Sequence, residues 1–153
     1  MIDGLKTRQL DVISHPKGDL YKMLTTQSPE FKGFGEIYFS RVAPFSIKAW
    51  RLHKSITANL TLVSGRVLVV RAKVDSRSPE GTEISEFELT GEVPTMITIP
   101  PGVWYGFKAG QRGGLLVNVI SEPHSEAEVL REPSDSNSIG FDLENAAVRE
   151  DPS

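Results

Sequence analysis

The chain is built from short runs in which apolar and polar residues alternate, and clusters of glycine, proline and serine separate these runs. Alternation with a period of two predicts β-strands, because successive side chains of a strand point to opposite faces of a sheet. We predict eight strands, which span Gly35–Val42, Ser46–His53, Asn59–Gly65, Arg66–Val74, Ile84–Leu89, Thr95–Pro100, Val103–Ala109 and Leu115–Ser121. Their regular spacing predicts an all-β sandwich or barrel.

Helical periodicity is confined to one segment near the C-terminus. Ser125–Glu132 predicts a short C-terminal helix, with Ser125 as the N-cap and Glu128 at the third position of a capping box. The residues after it, about 134–153, are acidic and rich in Ser, Asp and Pro, and they form either an ordered flap or a flexible tail. No linker and no internal repeat divides the chain, so we expect a single domain over residues 1–153.

Composition narrows the class of protein. A length of 153 residues with 39% hydrophobic and 24% charged residues is typical of one soluble globular domain. Because the chain has no cysteine, disulfides, thiolate catalysis, cysteine-ligated zinc and iron–sulfur clusters are excluded. The sequence shows no basic-then-apolar leader and no apolar run near the ~20 residues that cross a bilayer, so we expect a cytoplasmic protein with no membrane partner.

Charge is distributed unevenly along the chain. Residues 125–153 hold eight acids against two arginines, a net charge of −6, whereas the whole chain carries −3, so the first 124 residues carry +3. A mildly basic body suits an anionic small ligand. No block of Lys and Arg interleaved with aromatic residues occurs, so we expect no nucleic-acid partner.

Two segments have the spacing of the two motifs of the cupin superfamily. The first motif is His, one residue, His, three or four residues, Glu, six residues, Gly; the second is Pro, one residue, Gly, two residues, His. On this sequence they fall on Arg51, His53, Ala58 and Gly65, and on Pro100, Gly102 and Tyr105. The chain thus resembles the cupins, whose fold is a double-stranded β-helix or jelly roll. Of the four metal-ligand positions only His53 keeps a ligand side chain, so we predict no metal and no cofactor.

A closer resemblance is to the cupin family of dTDP-4-dehydrorhamnose 3,5-epimerases and to the related dTDP-sugar 3,4-ketoisomerases. It is carried by "KAWRLHK" at 48–54, "VDSRSP" at 74–79 and "IPPGVWYGF" at 99–107, with a weaker echo in "KGDLYKM" at 17–23. The resemblance spans about residues 17–141. It implies an isomerase that acts on a dTDP-4-keto-6-deoxyhexose.

The resemblance also implies a mechanism of proton transfer without metal. A 4-keto group acidifies the protons on C3 and C5, a histidine held by an acid removes one, a tyrosine returns a proton to the other face, and basic residues neutralise the enolate and the diphosphate. This chain departs from that pattern. Without a gap, the catalytic histidine falls on Arg51, the tyrosine falls near Val117, and the histidine of the His-Gly-Phe element is Tyr105.

Strand geometry brings His53 back as a candidate base. Arg51 and His53 are two residues apart, so they share a face of their strand and lie about 7 Å apart. We predict that His53 and Tyr105 are catalytic, with His53 as base and Tyr105 as proton donor. The substrate-binding candidates are Arg51, Lys48, Lys17, Asn59 and Asn118.

Each candidate also has a purely structural interpretation. His53 can be a hydrogen-bonded polar plug, Tyr105 a core or dimer contact, the lysines solvated surface, and the asparagines partners of backbone groups. We therefore weigh three functions: a nucleotide-sugar epimerase or isomerase, a catalytically inactive cupin that binds a sugar nucleotide or related anion, and a small-metabolite metalloenzyme with ligands outside these motifs. We expect a homodimer, since pairing hides the edge strands of an open jelly roll.

Overall fold

A computed structural model describes residues 6–75 and 77–150, with only the backbone of Pro79. Within these residues the chain forms ten strands and two short 3₁₀ turns. The strands are β1 (Lys6–Gln9), β2 (Asp11–Ile13), β3 (Leu20–Lys22), β4 (Glu36–Val42), β5 (Ile47–His53), β6 (Ala58–Lys73), β7 (Glu83–Thr90), β8 (Thr95–Ile99), β9 (Trp104–Ile120) and β10 (Val129–Arg131). The predicted all-β class is confirmed.

Strands β6 and β9 are the long elements around which the fold is organised. They pair with each other in antiparallel fashion along most of their lengths, with register shifts between Leu62 and Val67. Before these shifts, β6 and the second half of β9 lie in a layer ordered β1-β8-β6-β9-β4; after them, β6 and the first half of β9 lie in a layer ordered β7-β6-β9-β5-β10. The two layers form the predicted jelly roll.

The hydrophobic core lies between the two layers. Leu60 and Leu116 of the first layer pack in one cluster with Val69 and Phe107 of the second. Full burial of a side chain of this size stabilises the fold by about 1.5–3 kcal/mol. The inner faces of the two layers therefore face each other, and any cavity between them is lined by both.

A second apolar cluster covers the outer face of the second layer. Trp50, Leu68 and Val70 pack there against Ile139 and Leu143 from the C-terminal segment. The apolar run 67–70 of β6 is buried on both faces. Val67 and Val69 pack in the core between the layers, whereas Leu68 and Val70 pack against the C-terminal segment. The described part of the C-terminal segment, residues 134–150, thus contributes two fully buried side chains, Ile139 and Leu143, to this outer face.

Helical structure in the described residues is limited to two 3₁₀ turns, Pro79–Gly81 and Glu126–Glu128. None of the helices within residues 6–75 and 77–150 is long and apolar enough to cross a membrane. The predicted C-terminal helix is wrong beyond its first turn. The Ser125 side chain makes no capping hydrogen bond, the Glu128 carboxylate contacts His53 instead, and β10 pairs with β5. Sheet hydrogen bonds replace those that the helix would have made.

A hairpin formed by β2 and β3 was not predicted. It is a separate two-stranded sheet, with Val12 paired to Tyr21 and Ile13 paired to Leu20. All four of these apolar side chains are exposed. An isolated two-stranded hairpin is marginally stable in water, so this element needs a packing partner.

Candidate active site

A β-bulge in β5 sets which side chains enter the space between the layers. Lys48 pairs with Phe107 and Arg51 pairs with Tyr105, so three residue steps on β5 oppose two on β9. Both Phe107 and Tyr105 belong to the inner core. The extra residue therefore places Lys48 and Arg51 on the same inner face, while Trp50 turns to the outer cluster.

His53 is buried and both of its ring nitrogens are occupied. Nδ1 contacts the carboxylate of Glu128, and Nε2 lies 2.9 Å from the hydroxyl of Tyr105. A carboxylate accepts hydrogen bonds, so in a neutral imidazole Nδ1 carries the proton and Nε2 accepts from the Tyr105 hydroxyl. The histidine that an acid holds is thus His53. The ungapped alignment had placed this histidine at position 51, where the chain has an arginine.

Glu128 reaches this site from the 3₁₀ turn that precedes β10. The backbone N–H groups of Ser55 and Ile56 donate to its Oε2 at 3.2 and 3.3 Å. Burial raises the pKa of the Glu128 carboxyl, but the hydrogen bonds from His53, Ser55 and Ile56 hold it below its usual value. Glu128 is therefore a carboxylate at neutral pH and fixes the orientation of the His53 ring.

Tyr105 lies between His53 and the open space. Its side chain is buried, and burial together with the nearby Tyr38 raises the pKa of its hydroxyl, while the charge and hydrogen bond of Arg51 oppose this rise. The hydroxyl is therefore protonated at neutral pH. One phenol thus connects a buried imidazole to a guanidinium.

A pocket opens between the two layers at this point. Leu60, Phe107 and Leu116 form its apolar part. The polar lining comes from both layers: Tyr38, Ser40 and Asn118 from the first, and Lys48, Arg51 and Tyr105 from the second.

The pocket is positively charged. Lys48 and Arg51 line it, and neither forms an ion pair with a carboxylate among the described residues. The Lys48 ammonium has the Ser40 hydroxyl as a hydrogen-bond partner at 3.3 Å. Hydrogen bonds between a cation and an anion are stronger than those between neutral groups. Two cations without acidic partners in a recess therefore suit an anionic ligand.

Asn118, which lines the pocket, has an unused acceptor. Its side chain is buried, and its Nδ2 donates to the Tyr38 hydroxyl at 3.0 Å. Its Oδ1 is buried and has no hydrogen-bond partner in the described structure. A buried unpaired acceptor costs free energy, and a hydroxyl of a bound ligand would remove that cost.

Two of the residues predicted to bind the ligand, Lys17 and Asn59, do not line the pocket. Lys17 is exposed in the loop of the β2–β3 hairpin. Asn59 neighbours Leu60 on β6 and points to the opposite face, where its Nδ2 donates to the Glu30 carbonyl and its Oδ1 accepts from Thr98. Within one chain, the pocket is therefore formed without these two side chains.

Two site residues were missed in the sequence. Glu128 was assigned to a capping box, and its contact with His53 depends on strand pairing that the local pattern does not show. Tyr38 was missed because apolar Ile37 and Phe39 should face the core, whereas they are 52% and 66% exposed and Tyr38 faces inward. The alternation of Tyr38 with Ser40 was the available signal, since both are polar and share a face.

The metal-ligand positions of the cupin motifs do not form a metal site. Arg51, Ala58 and Tyr105 stand at three of the four positions, and the fourth is His53. Within residues 6–75 and 77–150, no group of three His, Asp or Glu side chains is arranged to hold a metal ion. A guanidinium beside a single imidazole is the wrong donor set for a divalent cation.

No family model matches the chain. Among curated proteins, it is similar to the spore coat polysaccharide biosynthesis protein SpsL of Bacillus subtilis (strain 168), with 24% identity over 144 residues, 92% of this chain and 95% of that protein. It is also similar to the probable low-salt glycan biosynthesis epimerase Agl13 of Haloferax volcanii, with 28% identity over 120 residues, 76% of this chain and 77% of that protein.

Among solved structures, the chain is similar to a dTDP sugar isomerase from Desulfovibrio desulfuricans G20. The sequences are 34% identical, the TM-score is 0.87, and the match covers 96% of this chain and 95% of that one. An identity of this size over nearly the whole of both chains shows that they belong to one family. The chain therefore belongs to the cupin family of dTDP-4-dehydrorhamnose 3,5-epimerase-like proteins, as its motifs predicted.

Proposed function

We propose that the protein is a dTDP-sugar epimerase or isomerase that transfers protons at carbons next to a ketone, without a metal. The observation that carries this proposal is the Tyr105 hydroxyl, which contacts the His53–Glu128 pair on one side and opens to a cationic pocket on the other. Related proteins include a dTDP sugar isomerase and a probable epimerase. A 4-keto sugar nucleotide is the substrate class that fits this chemistry.

His53 acts as the base through Tyr105, because Tyr105 lies between the imidazole and the pocket. As the phenol oxygen takes the proton from the substrate carbon, its own proton passes to Nε2 of His53. The electron pair of the broken C–H bond forms the enolate, and the carbonyl oxygen receives the negative charge. Glu128 stabilises the resulting imidazolium.

The two pocket cations offset the negative charges of the substrate. Arg51 lies beside the Tyr105 hydroxyl and neutralises the enolate oxygen that forms there. Lys48 is further along the same strand, at the level of Phe107, and contacts the diphosphate. Asn118 accepts a hydrogen bond from a sugar hydroxyl through its unpaired Oδ1.

We also propose that the protein is a homodimer. Ile37 and Phe39 form an exposed apolar surface on β4, which has no second partner strand among the described residues, and the β2–β3 hairpin exposes four more apolar side chains. A second copy would cover such surfaces. Light scattering should give twice the 16.9 kDa chain mass, and Phe39→Asp should lower it. A monomeric wild type would contradict this proposal.

Solvent exchange tests the proposed reaction. Metal-free protein is incubated with dTDP-4-keto-6-deoxyglucose in D₂O, and NMR follows deuterium at C3 and C5. We expect enzyme-dependent exchange that falls by about 10²-fold or more in His53→Ala and in Tyr105→Phe. Saturable ligand shifts without exchange would instead support a catalytically inactive protein that binds sugar nucleotides. Exchange that a chelator abolishes and a divalent metal restores would support the metalloenzyme.

A further inference from the structure

We infer that Arg131 is a further phosphate-binding residue beside the pocket, and that the Glu126 carboxylate occupies it until a phosphate of the sugar nucleotide takes its place. This inference rests on the proposed function and adds to it a ligand contact and an internal competitor for that contact. Neither residue was among the candidates that the sequence suggested.

Arg131 lies next to Arg51 on the inner face of the second layer. It is the direct partner of Arg51 in the β10–β5 pair, and Arg51 is the partner of Tyr105 in the β5–β9 pair. Residues directly opposite each other in an antiparallel pair have their side chains on the same face. The Arg131 guanidinium is also near enough to the Tyr105 hydroxyl to interact with it electrostatically. The three side chains therefore form a row from the pocket to β10, the outermost strand of the described layer.

The position of Arg131 suits a phosphate of a sugar nucleotide. Neighbouring strands are about 4.8 Å apart, so Arg131 lies one such step beyond Arg51. In the proposed reaction, Arg51 neutralises the enolate oxygen on the sugar. The diphosphate is joined to the same sugar ring, which brings it within reach of the next cation in the row. Lys48 then contacts the diphosphate from further along β5, and Arg131 contacts it from the neighbouring strand.

Two arginines directly opposite each other on one face of a sheet repel, and the repulsion is destabilising unless an anion offsets it. Glu126 supplies that anion. Arg131 donates from both terminal nitrogens to the two oxygens of the Glu126 carboxylate, over 2.6 and 3.3 Å. A guanidinium binds a phosphate through the same pair of parallel hydrogen bonds. Glu126 therefore occupies donors that a phosphate can use.

The ion pair of Glu126 and Arg131 can be exchanged at low cost. The two side chains are 70% and 47% exposed, and ion pairs at such exposure contribute little to stability. Glu126 also keeps a second partner, because its Oε1 lies 3.0 Å from Nε2 of His124. Glu128 is different, since backbone N–H groups hold its carboxylate against His53. One acid is thus fixed in the site, and the other can be displaced by a ligand.

Calorimetric titration of the full chain with dTDP tests this inference. The variants are Arg131→Met, Glu126→Gln and the double variant of both. Arg41→Met and Glu86→Gln are the controls, because they make the same charge changes at exposed positions outside the pocket. We expect Arg131→Met to bind dTDP about fivefold or more weakly, since one charged contact is lost. Glu126→Gln should bind about three- to fivefold more tightly, because Arg131 loses its competing anion. Both controls should match wild type.

The double variant separates competition from a general effect of charge. If Glu126 acts by occupying Arg131, Glu126→Gln changes nothing once Arg131 is replaced. A gain in affinity that persists in the Arg131→Met background would overturn the inference. Wild-type affinity in Arg131→Met, or unchanged or weaker binding in Glu126→Gln, would also overturn it, and a wild type that binds dTDP would leave the proposed function standing. A wild type that does not bind dTDP would reject the inference and the nucleotide-sugar function together.

Discussion

Two arginines flank Tyr105 on the same face of the second layer, and their surroundings differ completely. Arg51 pairs with Tyr105 from β5, and Arg71 pairs with it from β6. Arg71 is 2% exposed, and its terminal nitrogens donate to four oxygens, those of Lys6 (backbone, 2.9 Å), Thr98 (backbone, 3.0 Å), Thr7 (side chain, 2.8 Å) and Ser85 (side chain, 3.3 Å). Burial lowers the pKa of Arg71 to about 10, so it remains charged at neutral pH.

Arg51 is the opposite case. It is exposed to the pocket and has no carboxylate partner among the described residues. Residue type and strand position therefore do not separate a structural arginine from a functional one. What separates them is how many of its donors the protein itself occupies: four oxygens accept from the terminal nitrogens of Arg71, although its Nε has no partner in the described structure. Arg71 joins the layers, whereas Arg51 retains donors for a ligand.

Replacing Arg51 should have the largest effect on activity. We expect Arg51→Met to lower the exchange rate by roughly 10²–10³-fold, because the developing enolate loses its nearest charge. The free energy of unfolding should change by no more than about 1 kcal/mol, since Arg51 is exposed and its removal costs the protein the hydrogen bond to the Tyr105 hydroxyl. The matched control is Arg41→Met on the outer face of β4. A fall in stability with unchanged exchange would contradict the assignment.

Replacing Arg71 should have the reverse effect. Arg71→Met leaves the buried carbonyl of Thr98 and the part-buried carbonyl of Lys6 without this donor, so urea denaturation should show a loss of about 2–4 kcal/mol in the free energy of unfolding. Below its unfolding transition the variant should retain exchange activity. If the variant is as stable as wild type, the interpretation of Arg71 as the structural arginine is wrong.

The Glu128 carboxylate links the site to pH. Its folded-state pKa lies below the usual 4.5, so its contribution to stability is present above that value and is lost as the pH falls through the folded pKa. We expect Glu128→Gln to be about 1–2 kcal/mol less stable than wild type at pH 7. The difference should shrink in urea titrations below about pH 4.5. A gap that stays constant down to pH 3 would refute this linkage.

Lys48 is intermediate between the two arginines, because one protein hydroxyl contacts it. Ser40→Ala removes that contact, which spans 3.3 Å. We expect dTDP affinity to fall by only about two- to threefold, as for the loss of one weak hydrogen bond. Calorimetric titration measures this, with Ser136→Ala, a change at a half-buried serine outside the pocket, as control. A loss of tenfold or more would assign Ser40 a direct ligand contact.

The sequence predicted the strands well where one layer holds them. The predicted strands 35–42, 46–53 and 95–100 match β4, β5 and β8 within one residue. Segments 59–65 and 66–74 were separated at Gly65, which has a φ of +90° but lies inside β6. A Cβ there would lie 2.1 Å from the Gly113 carbonyl oxygen, so this glycine bends a continuous strand between layers rather than ending it.

The site was predictable where its residues share a strand or fall on a family motif, and was missed where they meet only through strand pairing. Arg51 and His53 follow from the period of two, and Tyr105 from the second motif. Glu128 lies 75 positions from His53, and their contact depends on the pairing of β10 with β5. Tyr38 faces inward against its hydrophobic pattern. Asn59 lies in a strand buried on both faces, where the pattern cannot tell the two faces apart.

The proposed function depends most on the two pocket cations that lack acidic partners in the described structure. Calorimetric titration with dTDP of wild type and of the double variant Lys48→Met/Arg51→Met tests it directly, with Lys22→Met/Arg41→Met as a control of equal charge. We predict one saturable site per chain in wild type and in the control, and an affinity at least about tenfold lower in the pocket variant. Equal affinity in all three proteins, or no saturable binding by wild type, would contradict the proposal that Lys48 and Arg51 bind the nucleotide.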